Sequence, residues 1–272
     1  MSANPLKQKI EYPKKYDPKV LYPIPRGTNR KILDIDRNLK MYGIDHWRAY
    51  EISWLDLEGS PVVRLGEFFF SANSKNIIES KSLKLYLNSL NSETFAKQTD
   101  VENIISADLS AISHSDVKVV LHSLDSFSDL PQIERSGRSV DHNQISIQLE
   151  EPAEELLKIS EETVFDEELY SDHFRSNCPI TRQPDWASFY IQYTGPKMEE
   201  SSLLDYLCSY RSYNGYHEEC AERIFRDIYR FCRPADMKLS LNFLRRGGID
   251  INIYRSTKIM TSSMLFSRLV RQ

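Results

Sequence analysis

A cysteine and an aspartate lie seven positions apart in the segment Cys178-Pro179-Ile180-Thr181-Arg182-Gln183-Pro184-Asp185-Trp186. The two prolines exclude a regular helix, so the two side chains are held in a fixed relation without helical geometry. A thiol paired with a carboxylate suits a nucleophile and a proton-transfer group. The alternative is a buried structural cysteine beside a surface aspartate. Three further cysteines keep that interpretation because they lie in a helical region, namely Cys208, Cys220 and Cys232.

A histidine and a glutamate, His217-Glu218, follow Asn214-Gly215, a local break in the same helical region. A carboxylate at such a break can accept two N–H groups from the edge of a guanine-like base, and the imidazole can hydrogen-bond or orient the ligand. The alternative is a solvated helix residue beside a half-exposed histidine. A metal site built on His217 and Cys220 is weakly indicated, because no further ligands follow at useful spacing.

Two cationic segments could contact an anionic ligand. Glu79-Ser80-Lys81 opens a helix, whose N–H groups together with Lys81 could hold a phosphate. In Arg245-Arg246-Gly247-Gly248 the glycines let the backbone approach a ligand closely. Neither a Rossmann G-x-G-x-x-G nor a Walker A sequence is present, which argues against the usual dinucleotide fold and against a P-loop enzyme.

The elements that must position these residues alternate between strand and helix. Leu83, Tyr86, Leu87 and Leu90 form one apolar helical face that begins near Glu79. The first forty residues, rich in proline, are predicted to form an extended arm without a long helix. We predict further helices over 101–113 and 201–232, strands over 50–56, 62–70, 117–124, 187–194, 238–243 and 249–254, a linker over 125–143, and a solvated acidic face over 150–168.

The chain contains an internal repeat. Residues Glu79 to Ser89 can be laid over Glu199 to Ser209 with Glu, Ser, Leu, Tyr, Leu and Ser coinciding. Each copy follows a strand pair and opens a helix, which predicts a duplicated α+β unit of the order strand–strand–helix–helix–strand–strand. The predicted division is 1–135 and 136–272. A chance match between short leucine-rich helices is the alternative.

Composition limits the partners and the compartment. The net charge of −4 over 272 residues gives no global attraction to nucleic acid or to an anionic membrane. No apolar run approaches the roughly 18 residues that span a bilayer, and the N-terminal residues do not form a secretory signal. Four cysteines without a close pair of metal-finger type favour free thiols in a cytoplasmic protein.

Together these motifs resemble the NADPH-dependent 7-cyano-7-deazaguanine reductases, the nitrile reductases of the queuosine pathway, in their long two-module form. The likeness covers nearly the whole chain and departs at about 126–174 and at Ile253-Tyr254. Its motifs are Glu79 to Tyr86, the nucleophile segment at Cys178, Thr181 and Gln183 to Trp186, His217-Glu218, Arg245 to Gly248 with Asp250 to Asn252, and three N-terminal segments, Tyr16 to Pro18, Pro23 to Arg26 and Tyr50 to Leu55.

The resemblance implies a fold, a reaction and roles for individual residues. The fold is the tunnelling fold, whose modules (an antiparallel sheet with helices on one face) associate into a barrel, and the enzyme is a homodimer. The reaction reduces a nitrile on a 7-deazaguanine base with NADPH, through a cysteine thioimide and without a metal. The implied roles are catalysis by Cys178 and Asp185, substrate binding by Ile78, Glu79, Ser80, His217 and Glu218, and cofactor binding by Ser80, Lys81, Arg246 and Gly247.

Two other classes of function stay open at this stage. One is a cysteine hydrolase of nitriles or amides, in which Cys178 acts with Glu218 or His217. Such an enzyme has no need of a nicotinamide site, so NADPH binding separates it from a reductase. The other is a non-catalytic purine-binding protein, for which alkylation of Cys178 changes nothing.

Overall fold

The computed structural model describes residues 12–35, 39–128, 136–145, 151–262, 265 and 268–272. Helices and largely antiparallel strands give a mixed α+β fold, which confirms the predicted class. The strands are β1 (Pro23–Pro25), β2 (Tyr42–Leu55), β3 (Pro61–Ser71), β4 (Asn76–Ile78), β5 (Lys118–His122), β6 (Arg138–Ser139), β7 (Ile159–Ser171), β8 (Arg175–Asn177), β9 (Pro184–Met198), β10 (Asp236–Phe243) and β11 (Ile249–Ser256). The helices are α1 (Arg26–Ile32), α2 (Ser80–Ser89), α3 (Gln98–Ser113), α4 (Leu124–Ser128), α5 (Glu200–Cys208) and α6 (His217–Phe231), with 3-10 turns at Pro18–Val20, Glu154–Leu156 and Ser209–Ser212.

The chain divides into two compact units. The first takes in the described residues of Met1–Asn29, Asp45–Gln132 and Arg245–Ile251. The second takes in those of Arg30–Ile44, Ile133–Leu244 and Asn252–Gln272.

In the first unit β2, β3 and β5 form an antiparallel sheet in the order β5-β3-β2. The apolar face predicted for α2 is confirmed, because Leu83, Tyr86, Leu87 and Leu90 are at most 3% exposed. Helix α3 adds buried side chains at four-residue spacing and begins at Gln98, three residues before the predicted start. After α3 the described residues up to Ser128 contain one strand, β5, where the repeat pattern predicted two.

The first described part of the proline-rich arm, up to Pro25, packs against α2 and β4, and the arm contains no long helix, as predicted, although α1 forms one short helix within it. Strand β1 pairs with β4, so that Pro23 lies opposite Ile78. The Tyr22 N–H donates to Ser82 Oγ at 3.0 Å, and the Tyr16 hydroxyl donates to Asp108 at 2.6 Å. The arm therefore fixes the position of the segment that enters α2.

In the second unit β9 is antiparallel to β7 on one side and to β10 on the other, and β10 is antiparallel to the later part of β11. Strand β8 pairs with the start of β9. The strands predicted over 187–194, 238–243 and 249–254 are confirmed, but β9 begins earlier, at Pro184. Asp185 therefore lies in a strand and not in an irregular segment. The predicted helical region 201–232 is two helices, α5 and α6, separated at the predicted break.

Two interpretations of the middle of the chain need correction. Strand β7 was missed, because glutamates at successive positions hide the alternation that marks a strand. The side chains of 160–163 are nevertheless exposed, so the interpretation as a solvated surface is confirmed there. The predicted linker 125–143 contains most of α4 and all of β6 in its described part.

Helices α2 and α5 make equivalent hydrogen bonds, both within their own segments and to the helix that follows each of them. Near the start of each helix a serine hydroxyl donates to a backbone carbonyl, Ser82 to Glu79 O and Ser202 to Glu199 O. Near the end Ser89 donates to Tyr86 O, and Ser209 donates to Tyr206 O. The Tyr86 hydroxyl donates to Asp108 and the Tyr206 hydroxyl to Asp227, and all six distances lie between 2.6 and 2.8 Å. The N-termini of α2 and α5 differ in one respect. The Glu79 side chain accepts from its own helix, whereas Glu199 makes no such cap.

Candidate active site

A short hairpin in the second unit holds Cys178 and Asp185. Strand β8 pairs with β9 so that Ser176 lies opposite Asp185. In the turn between them the Cys178 N–H donates to Gln183 O, and the Arg182 N–H donates to Cys178 O, each at 2.9 Å. Arg182 adopts the left-handed φ of +57° that closes the turn. A spacing of seven in sequence thus becomes a cross-strand relation, and the expectation of a fixed non-helical arrangement is confirmed.

Cys178 is the only one of the four cysteines that is not buried. Asp185, in contrast, is only 4% exposed. Burial raises the pKa of Cys208 to about 11 and that of Cys232 to about 12, and it also raises the pKa of Cys220. Because the thiolate is the nucleophilic form, these three thiols are unsuited to attack. Their interpretation as packing residues is confirmed.

The segment before α6 lies against β8 and brings His217 to the hairpin. The Asn177 N–H donates to Tyr213 O at 2.8 Å, and the Gly215 N–H donates to Asn177 O at 3.1 Å. Helix α6 then begins at His217, and Glu218 is 4% exposed. Strand β8, which Cys178 directly follows, is therefore hydrogen-bonded to the segment that leads into the helix beginning with the predicted base-binding pair.

His217 has two contacts that orient its ring. Its Nε2 atom lies 3.7 Å from Asp185 Oδ2, and its ring centroid lies 4.1 Å from that of Phe243 on β10. Phe243 was not predicted as a site residue, because its role depends on a contact between distant parts of the sequence. The structure therefore brings together Cys178, Asp185, His217 and Glu218 around one hairpin and one helix start.

Glu219, which was not predicted as a site residue, shapes the start of α6. Its carboxylate accepts from the Tyr213 hydroxyl at 2.7 Å and from the Tyr216 N–H at 3.4 Å. The pKa of Glu219 is raised, chiefly by burial. Glu219 completes a capping box, but the N-cap residue is Tyr216 and not the serine or threonine of the usual pattern, so the sequence carried no clear signal for this role.

The predicted phosphate-binding helix start lies in the first unit. Glu79 is 2% exposed, and its carboxylate accepts from the Lys81 N–H at 2.9 Å and from the Ser82 N–H at 2.8 Å. Burial raises the pKa of Glu79, although the two donors oppose that shift. Two of the N–H groups offered to a phosphate by the sequence pattern are thus already occupied. Ile78 is buried on β4, and Ser80 is the first residue of α2.

The turn at Gly247-Gly248 lies in the same unit as α2. Arg246 and Ile249 exchange backbone hydrogen bonds across it, at 2.9 and 3.1 Å. Both glycines have positive φ, +59° and +78°, as a two-residue hairpin turn requires. The strands predicted on either side of it are confirmed as β10 and β11.

Lys84 joins this turn to α2 and was missed as an individual site residue. Its Nζ donates to Gly247 O at 2.5 Å and lies 3.3 Å from Glu51 Oε2. A depression beside it is lined by Ala49, Glu51, Lys84, Leu87, Asn88, Gly247, Gly248 and Ile249. Lys84 follows Lys81 by three positions and so lies on the same side of the helix, which is a signal available in the sequence.

These two sets of residues have distinct chemistry. The first unit offers cationic side chains, Lys81, Lys84 and Arg246, beside exposed backbone, which fits a phosphate-bearing cofactor. The second unit offers an accessible thiol with a buried carboxylate and an imidazole, which is the arrangement of an enzyme with a cysteine nucleophile.

Comparison with known proteins identifies the family. Residues 12–121 match the model described as nitrile reductase, 7-cyano-7-deazaguanine-reductase N-term, and residues 184–261 match that of QueF-like protein. An NADPH-dependent 7-cyano-7-deazaguanine reductase from Coxiella burnetii is 46% identical over 251 residues, 90% of this chain and 88% of the relative. One from Bordetella parapertussis is 42% identical over 256 residues, 94% of each. The chain belongs to the family of NADPH-dependent 7-cyano-7-deazaguanine reductases.

In the described part of the chain, no helix is long and apolar enough to cross a membrane.

Proposed function

We propose that this chain reduces the nitrile of 7-cyano-7-deazaguanine to an aminomethyl group with NADPH, as a step of queuosine biosynthesis. The observation that carries the proposal is that Cys178 lies in the turn of the hairpin whose second strand holds Asp185, with His217 3.7 Å from Asp185, in a chain that matches the reductases over 90% of its length. A nitrile hydrolase does not require the cationic side chains Lys81, Lys84 and Arg246. A non-catalytic binding protein does not require a partly exposed cysteine on the same hairpin as a buried carboxylate.

Cys178 acts as the nucleophile. A nitrile carbon is a modest electrophile, so direct hydride addition to it is slow. The Cys178 sulfur forms a bond to that carbon, and Asp185 takes the thiol proton and delivers it to the nitrile nitrogen. The product is a thioimide, which accepts hydride more readily and is held in place by the covalent bond. A buried carboxylate across a short hairpin from the thiol suits this transfer.

The remaining steps return Cys178 to its starting state. NADPH, when bound, supplies a hydride to the thioimide carbon and a second hydride after the thiol has left. Loss of the Cys178 thiol between the two additions breaks the carbon–sulfur bond and leaves an imine. Each hydride is accompanied by one proton, so the nitrile consumes two NADPH and two protons and gives a primary amine.

The other predicted residues bind the two reactants. Glu218 accepts from the N–H groups on the edge of the base and His217 orients it. Ile78, Glu79 and Ser80 are further substrate-binding residues. Lys81, Arg246 and Gly247, with Ser80, contact the cofactor. Lys84 joins this set because it contacts Gly247 O and the Glu51 carboxylate. No step requires a metal.

The architecture is part of the proposal. We infer that 1–135 and 136–272 are two copies of a tunnelling-fold module that associate into a barrel, in a homodimer. Support comes from the equivalent hydrogen bonds of α2 and α5 and of the segments before them, where Tyr22 N–H donates to Ser82 and Lys158 N–H donates to Ser202, each at 3.0 Å. Four free cysteines support a location in the cytoplasm.

Cofactor consumption tests the function. With limiting 7-cyano-7-deazaguanine, the enzyme is expected to oxidise two NADPH per nitrile and to release the aminomethyl product. Without the substrate, NADPH oxidation should be absent. A ratio near one with an aldehyde or imine product would contradict the four-electron reduction, and release of an acid or amide without NADPH use would assign the chain to the hydrolases.

A further inference from the structure

Gln272 is tied to the end of β10. Its side chain is buried, and its Nε2 atom donates to Phe243 O at 3.0 Å and to Asn252 Oδ1 at 2.6 Å. The residue is itself fixed by a local turn, in which the Leu269 N–H donates to Gln272 Oε1 and the Gln272 N–H donates to Leu269 O. The amide therefore joins this turn to the last residue of β10.

Arg271 makes the corresponding contact with β9. Its Nη2 atom lies 3.2 Å from Ala187 O and 3.0 Å from Ser188 Oγ. The same atom lies 3.2 Å from Asp172, both at Oδ1 and at the carbonyl oxygen. Ser188 Oγ donates in turn to Asp172 Oδ1 at 2.6 Å. Arg271 thus links β9 to the residue that follows β7.

These contacts lie where the β9–β10 ladder ends. Its last pair is Ala187 opposite Phe243. Asp185 lies two residues before Ala187, and the Phe243 ring packs against His217. Beyond this pair β9 continues to Pro184 through its pairing with β8, whereas β10 ends at Phe243. Since strand ends fray unless other groups hold them, Gln272 restrains Phe243 at the end of β10, and Arg271 restrains Ala187 where β9 passes from one partner strand to the other.

We propose that Arg271 and Gln272 are positioning residues for nitrile addition. They act through Ala187 and Phe243 and keep Asp185 and His217 in register with Cys178. The inference rests on the proposed function, because it assumes that Cys178 and Asp185 carry out the addition. Displacement of a catalytic group by about 1 Å can cost on the order of a hundredfold in rate, so restraint at this strand end matters for catalysis as well as for stability.

The test is the rate of covalent addition at saturating substrate in the absence of NADPH, followed by intact-protein mass at a temperature where circular dichroism shows every variant folded. Gln272→Ala should slow addition by on the order of ten- to a hundredfold. Its affinity for NADPH, measured by fluorescence quenching, should stay unchanged. Gln144→Ala, at an exposed glutamine of the same unit, is the matched control and should behave like wild type.

Arg271 supplies an independent comparison. Arg271→Lys keeps a donor that can reach Ala187 O or Ser188 Oγ and should restore part of the rate that Arg271→Met loses. Variants that unfold at lower temperature but add substrate at the wild-type rate would show a purely structural role and overturn the inference. Equal losses in Arg271→Lys and Arg271→Met would overturn it as well. Absence of any adduct in wild type would instead refute the proposed function.

Discussion

The Nε2 atom of His217 lies 3.7 Å from Oδ2 of Asp185. The Asp185 side chain is 5% exposed and that of His217 is 22% exposed, so the contact is largely shielded from solvent. It joins the residue proposed to orient the base to the residue proposed to move the proton. We therefore expect substrate recognition and proton transfer to depend on the same small group of side chains.

Asp185→Asn should separate proton transfer from binding. The amide has nearly the same shape but cannot take the thiol proton, so covalent addition should slow by on the order of a hundred- to ten-thousandfold. NADPH affinity should be retained, because the proposed cofactor residues lie elsewhere in the chain. Rapid-mixing measurement of adduct formation checks this, with Asp166→Asn on exposed β7 as the control. An unchanged rate would remove Asp185 from the proton path.

Lys81→Ala should show the reverse pattern. Loss of a charge-assisted phosphate contact should cost on the order of 1.5–3 kcal/mol, or roughly ten- to a hundredfold in the KM for NADPH. Adduct formation precedes hydride transfer and should be nearly unchanged. Lys97→Ala, which removes another exposed lysine, is the control. If Lys81→Ala blocks the adduct while NADPH affinity stays normal, Lys81 belongs to the base pocket.

The stability costs of alanine at the two glycines of the Gly247-Gly248 turn can be compared directly. Both glycines have left-handed φ, so alanine at either position should cost on the order of 1–2 kcal/mol of unfolding free energy. A Cβ at Gly248 would also lie 2.7 Å from Glu51 Cδ, whereas a Cβ at Gly247 would come no nearer than 3.5 Å to its closest neighbour, Lys84 Nζ. Gly248→Ala must therefore move Glu51 and weaken its contact with Lys84.

We expect Gly248→Ala to destabilise the protein more than Gly247→Ala in urea unfolding. The difference should disappear in a Glu51→Ala background, because the displaced group is then absent. A difference that persists in that background would show that backbone strain alone separates the two positions.

The surroundings of Glu67 predict that the fold becomes less stable in acid. His46 Nε2 and His122 Nε2 each lie 2.8 Å from its carboxylate, and Arg48 Nε lies 3.8 Å away. Burial raises the pKa of Glu67, but these partners outweigh it and bring the pKa to about 2. Since the folded pKa lies below the ordinary value of 4.5, the carboxylate stabilises the fold above that value. The contribution is lost as the pH falls towards 2.

Glu67→Gln should therefore lower the unfolding free energy by on the order of 3 kcal/mol at neutral pH and by much less in acid. Urea unfolding of both proteins at about pH 7 and about pH 3 measures the difference. Glu161→Gln on the exposed part of β7 should have little effect at either pH. A loss of equal size under both conditions would mean that ionisation of Glu67 does not stabilise the fold.

The sequence predicted elements whose signals are local. The spacing of Leu83, Tyr86, Leu87 and Leu90 defines a buried helical face, and all four are buried. The break at Asn214-Gly215 likewise marks the start of α6. Strand β7 escaped prediction because its composition is that of a solvated surface. There the pairing with β9, which depends on residues far along the chain, determines the structure.

Prediction of the site residues also depended on whether their signal was local in the sequence. Cys178, Asp185, His217 and Glu218 were predicted as site residues from residue type and spacing, whereas Phe243 was not. A phenylalanine at a strand end is ordinary core by pattern, and only its contact with His217 gives it a role in the site. Gln272 was missed for the same reason, since its hydrogen bond to Phe243 O joins segments 29 residues apart in sequence.

In the proposed mechanism Cys178 bonds to the nitrile before any reduction occurs. Intact-mass spectrometry after mixing the enzyme with 7-cyano-7-deazaguanine, without NADPH, detects that bond. We expect a species heavier by the full substrate mass, absent in Cys178→Ala and retained in Cys208→Ala and Cys232→Ala. Added NADPH should discharge that species with release of the amine. An adduct that survives Cys178→Ala, or turnover that persists in that variant, would show that Cys178 is not the nucleophile.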